Sequence, residues 1–431
     1  MLISTLPFRK LKRGFTGPVS SVKIKVFAAL LLLFSGTLSA QTTQTFNSSG
    51  SWVAPAGVTS VKVECWGGGG QGGTTSFNSS ETGGGGGGAY ARKNAQTVTP
   101  GTSYTVTVGA GATGTSAGGD SWFSSSSTVL AKGGNSVGSN GTSGANGGSA
   151  ASSIGDVKFA GGNGANGSNN NYGGGGGSSA GTGAAGVNAT NQNGATAPSG
   201  GGNGGNGRSG SNGDGSPGIA PGGGGGGVRS GTFGSQDGGD GANGRVLLTW
   251  TCPTYSLTST SVAGSICGGS SATINLTGNA ANLPVGSYTI TYNLSGANTG
   301  TGLTASITVS TAGSASFNTG ILNNGGATTI TITNLSSGAA GGLCSSTISA
   351  NNTAVISSTI VNAGSISGAQ TLCASGDPAL ISNVSLGSGS GTITYLWQSS
   401  TTSASAGFTT IPGEVADSYD PPAGISANTW F

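Results

Sequence analysis

The sequence predicts an all-β protein: a jelly-roll-like β-sandwich with an inserted bundle of polyproline-II-type threads, followed by tandem immunoglobulin-like β-sandwiches. Three observations predict it. Glycine recurs at every third place in separated sets, Gly138 to Gly147, Gly161 to Gly167, Gly201 to Gly213 and Gly238 to Gly244. Short runs that alternate apolar and polar residues flank those sets, as half-buried strands do. From about Pro253 the composition turns to Thr, Ser and Ile, with candidate strands spaced as in a sandwich.

A thread with three residues per turn rises about 3.1 Å per residue and has no internal hydrogen bonds. Glycine at each third place leaves one edge bare, so neighbouring backbones can touch and exchange N–H and C=O groups. Collagen needs an unbroken repeat rich in proline, and here the register breaks and the other places hold Asn, Ser, Ala and Thr. The remaining alternative is a disordered glycine and serine linker. The shared register and the strands on both sides favour order. The unbroken runs Gly83 to Gly88, Gly173 to Gly177 and Gly222 to Gly227 fit either reading.

Along the chain, Arg9, Lys10, Lys12, Arg13, Lys23 and Lys25 precede the apolar stretch Val26 to Phe34, and Leu38-Ser-Ala40 precedes Gln41. This pattern is expected to be an export signal over residues 1–40, cleaved after Ala40. Losing its six basic and no acidic residues turns the formal balance from +3 to −3. No Lys or Arg follows Arg245, so the last part of the chain cannot neutralise phosphates, which argues against nucleic acid. After the signal no run approaches the roughly 20 apolar residues of a membrane span, and the mature protein is expected outside the cell.

Within residues 41–251, strands are expected over Val58 to Trp66, Ala89 to Val98, Tyr104 to Val108, Thr128 to Ala131, Val157 to Ala160 and Arg245 to Trp250, with Pro100-Gly101 as a hairpin turn. Phe46, Trp52, Trp66, Tyr90, Tyr104, Trp122, Phe123 and Trp250 should carry much of the core, since aromatics bury most area. Residues 252–362 should form a second sandwich, with strands at Tyr255 to Thr258, Ala272 to Thr277, Tyr288 to Leu294, Leu303 to Val309, Ala315 to Phe317, Thr328 to Asn334 and Cys344 to Ile348. Residues 363–431 should form a third, truncated one.

The five cysteines match no zinc spacing, and the chain has no histidine. In an oxidising compartment a bridge between Cys267 and Cys344 is favoured, within the second sandwich; Cys65 with Cys252 is a weaker candidate, and Cys373 is left over.

Phe46-Asn-Ser-Ser-Gly50-Ser-Trp52, Val63-Glu-Cys65-Trp66-Gly-Gly-Gly-Gly70, Gly88-Ala-Tyr90-Ala91, Tyr104-Thr-Val-Thr-Val-Gly109 and Gly241-Ala-Asn-Gly-Arg-Val-Leu-Leu-Thr-Trp250 together resemble the glycine-rich domain of bacterial surface proteins. Related modules occur in phage tail adhesins and in the extracellular part of the lymphoma-kinase receptor family. The resemblance implies a β-sandwich carrying a bundle of polyglycine-II helices; Cys65 departs from it, standing where a small residue is expected. Leu372-Cys373, Thr392 to Gln398, Tyr419-Asp-Pro-Pro422 and Thr429-Trp-Phe431 resemble the immunoglobulin-like or PKD-like repeats of exported Bacteroidetes proteins. That likeness makes Trp397 a core tryptophan beneath a bridge from Cys373 to a residue beyond Phe431, in a chain that is a piece of a longer one.

Catalysis has little to work with. Without histidine the usual general base and serine-activating partner are missing. Gly109-Ala-Gly111-Ala-Thr-Gly114 spells a dinucleotide fingerprint, but no amphipathic helix pattern follows. Asp214, Asp237 and Asp240 sit in glycine loops that suit calcium in principle, yet turn and cap roles fit better, and Asn243 stands where the calcium repeat needs aspartate. Glu64 is expected on a solvated strand face. No cofactor or metal is expected.

Tyr172 and Phe233, inside the glycine regions, are weak candidates for stacking on sugar rings, against the plainer role of filling gaps. Asn and Thr in the triplets offer hydrogen bonds in ordered rows. The function expected is an exported, non-catalytic adhesin or matrix protein binding glycan or cell surface. Alternatives are a purely structural spacer, the accessory N-terminal region of a larger polysaccharide-active enzyme, and ice binding, which lacks the flat Thr or Ala face it needs.

Overall fold

The computed structural model describes residues 41–76, 80–169, 171–231, 234–338, 343–359, 364–372, 376–387 and 394–431. The expected signal lies outside the described residues, as do Phe233 and Cys373. Among the described residues the regular structure is all β, and no helix is long and apolar enough to cross a membrane.

Eleven strands precede residue 252: β1 (Gln41–Phe46), β2 (Gly50–Val53), β3 (Ser60–Trp66), β4 (Ser80–Glu81), β5 (Tyr90–Thr97), β6 (Ser103–Thr107), β7 (Ser121–Phe123), β8 (Leu130–Ala131), β9 (Val157–Phe159), β10 (Arg229–Ser230) and β11 (Arg245–Thr251). A five-stranded sheet, β1-β11-β3-β5-β9, faces a four-stranded sheet, β2-β6-β7-β8, and all pairs are antiparallel. Period-two alternation sends Val61, Val63 and Cys65 of β3 and Val246, Leu248 and Trp250 of β11 into the space between them. Trp52 fills its centre, with ring centroids 5.2 Å from Trp250 and 6.0 Å from Phe123. Trp122 falls on the opposite face of β7 from Phe123 and is only half-buried. Pro100-Gly101 is a turn but joins no hairpin, because β5 and β6 belong to different sheets and the chain there crosses the sandwich.

The glycine segments continue these strands. β3 runs on into residues 67–73, residues 83–88 run into β5, β6 runs on into 109–112, and 241–244 run into β11. Because Trp66 pairs with both Tyr90 and Arg245, all leave the sandwich at one end. There they form a bundle whose hydrogen bonds repeat every three residues. Gly83 and Gly86 donate to Gly141 and Asn135, Gly84 and Gly87 to Ala165 and Gly162, and Gly85 and Gly88 to Gly225 and Gly222, at 2.8 to 3.0 Å. Their carbonyls accept with the same period, from Gly73 and Gly70, from Ala145 and Gly148, and from Gly177 and Ala180. One thread thus has six neighbours, and each backbone group in it is satisfied.

That packing separates two kinds of glycine segment. The inner threads, 67–73, 83–88, 173–180 and 222–227, are enclosed on all sides and buried. A Cβ on Gly84, Gly85 or Gly86 would fall on the carbonyl of Gly175, Gly70 or Asn146 respectively, three different threads, so none of these three positions can carry a side chain. The unbroken runs are therefore the most enclosed part of the bundle. Outer threads need glycine where another backbone closes in: Gly161, Gly164 and Gly167 stand against the carbonyls of Gly87, Gly84 and Glu81, and Gly238, Gly241 and Gly244 against those of Gly72, Gly69 and Trp66. The register outlasts the bundle at some ends. Gly138 and Gly210 meet nothing within 4 Å.

The second sandwich contains β12 (Ser259–Val262), β13 (Ile266–Cys267), β14 (Ser270–Thr277), β15 (Gly286–Gly296), β16 (Gly300–Val309), β17 (Ser314–Leu322), β18 (Gly326–Ser337), β19 (Cys344–Thr347) and β20 (Thr353–Thr359). One sheet is β12-β14-β17 and the other β13-β20-β18-β15-β16, with β19 also on β18. Tyr292 and Phe317 meet across them at 5.4 Å. The strand expected over Tyr255 to Thr258 instead begins at Ser259, because Tyr255 and Leu257 are used as buried anchors.

One apolar core runs through both sandwiches. Tyr255 donates its hydroxyl to the Ala56 carbonyl at 2.9 Å, and the Ala56 amide donates to Ser337 Oγ at 2.9 Å. Gly57, at φ +76°, has no room for a Cβ beside Pro284 and Pro253. The disulfide joins Cys252 to Cys344, with Cα atoms 5.2 Å apart. This corrects both expected pairings. Cys267 pairs beside the Gly326 end of β18 through β20, whereas Cys344 pairs with Ser337 at the other end. Eleven residues of strand separate those ends by roughly 35 Å. Cys267 is free and exposed, and Cys65 is free and buried between the sheets of the first sandwich.

The last segment holds β21 (Ser365–Ile366), β22 (Asn383–Ser385), β23 (Gln398–Ser399) and β24 (Thr409–Thr410). Its core is Ile381, Trp397 and Tyr419, with Trp397 stacked on Tyr419 at 5.3 Å. The Trp397 indole donates to the Ala416 carbonyl.

Candidate functional site: the perimeter of the glycine bundle

The outer threads of the bundle run in sequence around it: 142–148, 161–167, 187–197, 202–208, 215–219 and 237–243. Each lacks a neighbour on its outer side, so some of its amides would face solvent without a partner thread. Asparagines supply the missing acceptors. Asn163 Oδ1 accepts from the Gly147 amide at 2.9 Å and Asn166 Oδ1 from Gly144 at 2.9 Å. Asn188 caps the Asn163 amide, Asn206 caps Gly194, Asn203 caps Ala197 and Asn243 caps Gly111, all at 2.7 to 2.8 Å. The residue type follows from the geometry: a short side chain with a carbonyl mimics the backbone acceptor it replaces. These six asparagines thus have their oxygens spent inside the protein, leaving their Nδ2 groups at an exposed surface.

Asp214 belongs to the same scheme, its Oδ1 accepting from the Asp237 amide at 2.8 Å. Asp240 Oδ1 accepts from Gln71 Nε2 at 3.3 Å. Among the described residues no group of three or more Cys, Asp or Glu side chains is placed to hold a metal. The glycine pattern at 109–114 is likewise absorbed by the bundle. Gly109 donates to Ser121 Oγ, Gly111 to Asn243 Oδ1 and Ala112 to the Gly69 carbonyl, which takes three of its six amides away from a phosphate.

Tyr172 is half-buried at the turn between threads 161–167 and 173–180, bridging to Ser168 and Ser209. With Phe233 outside the described residues, the two aromatics form no described pair. Glu64 corrects the expectation of a solvated face. It is 4% exposed, accepts from the Tyr90 hydroxyl at 2.7 Å and pairs with Lys62 at 2.6 Å. The inner thread ending at Ala180 packs on Trp66 and Tyr90 and covers that face. Burial, and then the Glu64 carboxylate, hold the Tyr90 hydroxyl above its ordinary pKa. Burial also pushes the Cys65 thiol up, with Glu64 adding to it, which makes that thiol unreactive.

Residues 42–251 match the family described as a glycine-rich domain. A glycine-rich domain therefore spans this part of the chain. Residues 362–431 match a domain of unknown function. No curated protein matches the chain. The glycine-rich domain so bounded contains the first sandwich and its bundle; its last matched residue is Thr251, immediately before the cysteine bridged to the second sandwich.

Proposed function

We propose that this is an exported, non-catalytic surface protein, an adhesin or matrix component that holds glycan or a cell-surface component against its glycine-rich domain. The observation that carries the reading is the division of labour in the bundle. Enclosed inner threads, which we read as polyglycine-II helices, make it rigid, and six outer asparagines turn their oxygens to neighbouring amides while offering amide donors outward. A surface of many neutral donors with little charge suits a neutral, hydroxyl-rich polymer better than an ionic partner. Rigidity lowers the entropy lost on binding.

Position supports the same reading. The bundle occupies the end of the first sandwich opposite Ala56, where the second sandwich docks, so the domain is held out by a stiff support. Purified protein applied to glycan arrays and whole cells is expected to bind neutral polysaccharide in a salt-insensitive way. Asn203→Ala with Asn206→Ala should weaken that binding. No binding to any glycan or cell would leave the domain a spacer, and binding abolished by moderate salt would point to an ionic ligand instead.

A further inference from the structure

The glycine-rich domain contains nine Asn-Gly steps, at Asn140, Asn146, Asn163, Asn166, Asn193, Asn203, Asn206, Asn212 and Asn243. This dipeptide is the one most prone to lose ammonia. The glycine nitrogen attacks the asparagine Cγ and gives up its proton, the Cγ–Nδ2 bond breaks and ammonia leaves. Water then opens the resulting succinimide at either carbonyl, giving aspartate or isoaspartate. Glycine permits the reaction because it has no side chain to hinder the attacking nitrogen. A domain exposed outside the cell with nine such steps needs a means of resisting it, since isoaspartate adds an atom to the main chain and would break the three-residue register.

The bundle blocks the reaction at both reacting groups. At all nine steps the glycine amide is engaged as a donor: Gly164 to Ala145, Gly167 to Thr142, Gly204 to Ala195, Gly207 to Gln192, Gly213 to Arg229, Gly244 to Gly109 and Gly141 to Gly138, with Gly147 and Gly194 donating to Asn163 and Asn206 side chains. At seven steps the asparagine oxygen is also fixed by accepting from an amide: Asn163, Asn166, Asn203, Asn206 and Asn243 as outer caps, Asn140 from Ser76, and Asn212 from Gly231. Two steps differ. Asn146 and Asn193 are exposed, their side chains hold no hydrogen bond among the described residues, and the next amide is held only by a side-chain oxygen at the surface.

We propose that Asn146 and Asn193 are the two deamidation sites of the folded glycine-rich domain, and that the caps Asn163 and Asn206 on the neighbouring threads set their rates. Each new carboxylate adds a negative charge at the outer surface. The other seven steps stay intact for as long as the bundle is closed, so loss of ammonia reports opening of the bundle.

The test is site-resolved mass spectrometry of the full-length protein, incubated at mildly alkaline pH folded and in denaturant with the disulfide reduced. In denaturant all nine steps should gain one mass unit at similar rates. In the folded protein Asn146 and Asn193 should lead, with the other seven slower by at least about tenfold, as expected if two hydrogen bonds must first break. Asn163→Ala should speed loss at Asn146 while leaving Asn193 unchanged, and Asn206→Ala should do the reverse. Because each variant keeps the other site as its control, a general loosening of the fold is recognised by both sites moving together. The proposal is overturned if the seven react as fast as the two, if Asn146 and Asn193 stay intact while the denatured chain reacts, or if both sites move together in each variant.

Discussion

An alanine at Gly85 should destabilise the protein severely, while the same substitution at Gly138 should not. Both glycines belong to regular glycine patterns and differ only in what surrounds them. Gly85 donates to Gly225 at 2.8 Å and accepts from Gly177 at 2.9 Å, and its Cβ would fall on the Gly70 carbonyl, with the Gln71 carbonyl carbon 2.8 Å away. These neighbours are backbone in other threads, so relief requires threads to part. Overpacking of this kind costs about 1 to 3 kcal/mol, and each buried backbone group deprived of its partner about 1 to 3 more. With one such group deprived, Gly85→Ala should cost about 2 to 6 kcal/mol. Gly138 meets nothing within 4 Å and does not have a positive φ. There alanine restricts only the unfolded chain, a gain of about 0.4 to 1 kcal/mol. Urea unfolding followed by the fluorescence of Trp52 and Trp250, with amide exchange across 83–88, measures both. A Gly85→Ala protein within about 0.5 kcal/mol of the parent, with exchange unchanged, would refute the six-neighbour packing.

Asn206→Ala removes the acceptor of the Gly194 amide and should cost about 0.5 to 1.5 kcal/mol, with faster amide exchange at Gly194 and not at Gly176. Breaking the Cys252–Cys344 bridge, which spans 92 residues, should cost about 4.6 kcal/mol in the chain-entropy account, read from unfolding midpoints of Cys252→Ala with Cys344→Ala. Tyr255 is pushed up to about 12 by burial, against an ordinary value near 10. Since its folded pKa lies above the unfolded one, the stability it supplies is full below pH 10 and is lost as pH rises from 10 through 12. Unfolding midpoints across that window should fall less steeply in Tyr255→Phe, although Tyr90 and Tyr288, both also raised by burial, keep part of the slope.

Several strands were legible because their signal is local. The alternation in Val61, Val63 and Cys65, closed by Trp66, places β3 almost to the residue, and Arg245 to Trp250 does the same for β11. The site was half legible. Gly-x-Asn triplets mark the perimeter, and their even spacing is visible without a structure. That six of these asparagines turn their oxygens to an amide of the next thread is not visible, since the acceptor each replaces belongs to a segment that is absent on that side. Glu64 was misread for a related reason: alternation says which face of a strand a residue takes, and only the thread carrying Ala180 makes that face an interior.

By itself the sequence determined the period of the glycine segments, the all-β character and the aromatic core around Trp52, because steric access for a backbone and the two-residue pleat are properties of neighbouring residues. The tertiary structure alone decided which threads are enclosed, that Cys344 meets Cys252 and not Cys267, and that one core continues through both sandwiches. Those outcomes depend on contacts between residues far apart in the chain, such as Gly85 with Gly225 and Ala56 with Ser337. A periodic sequence permits many equivalent pairings of that kind, and only packing all the threads at once selects one.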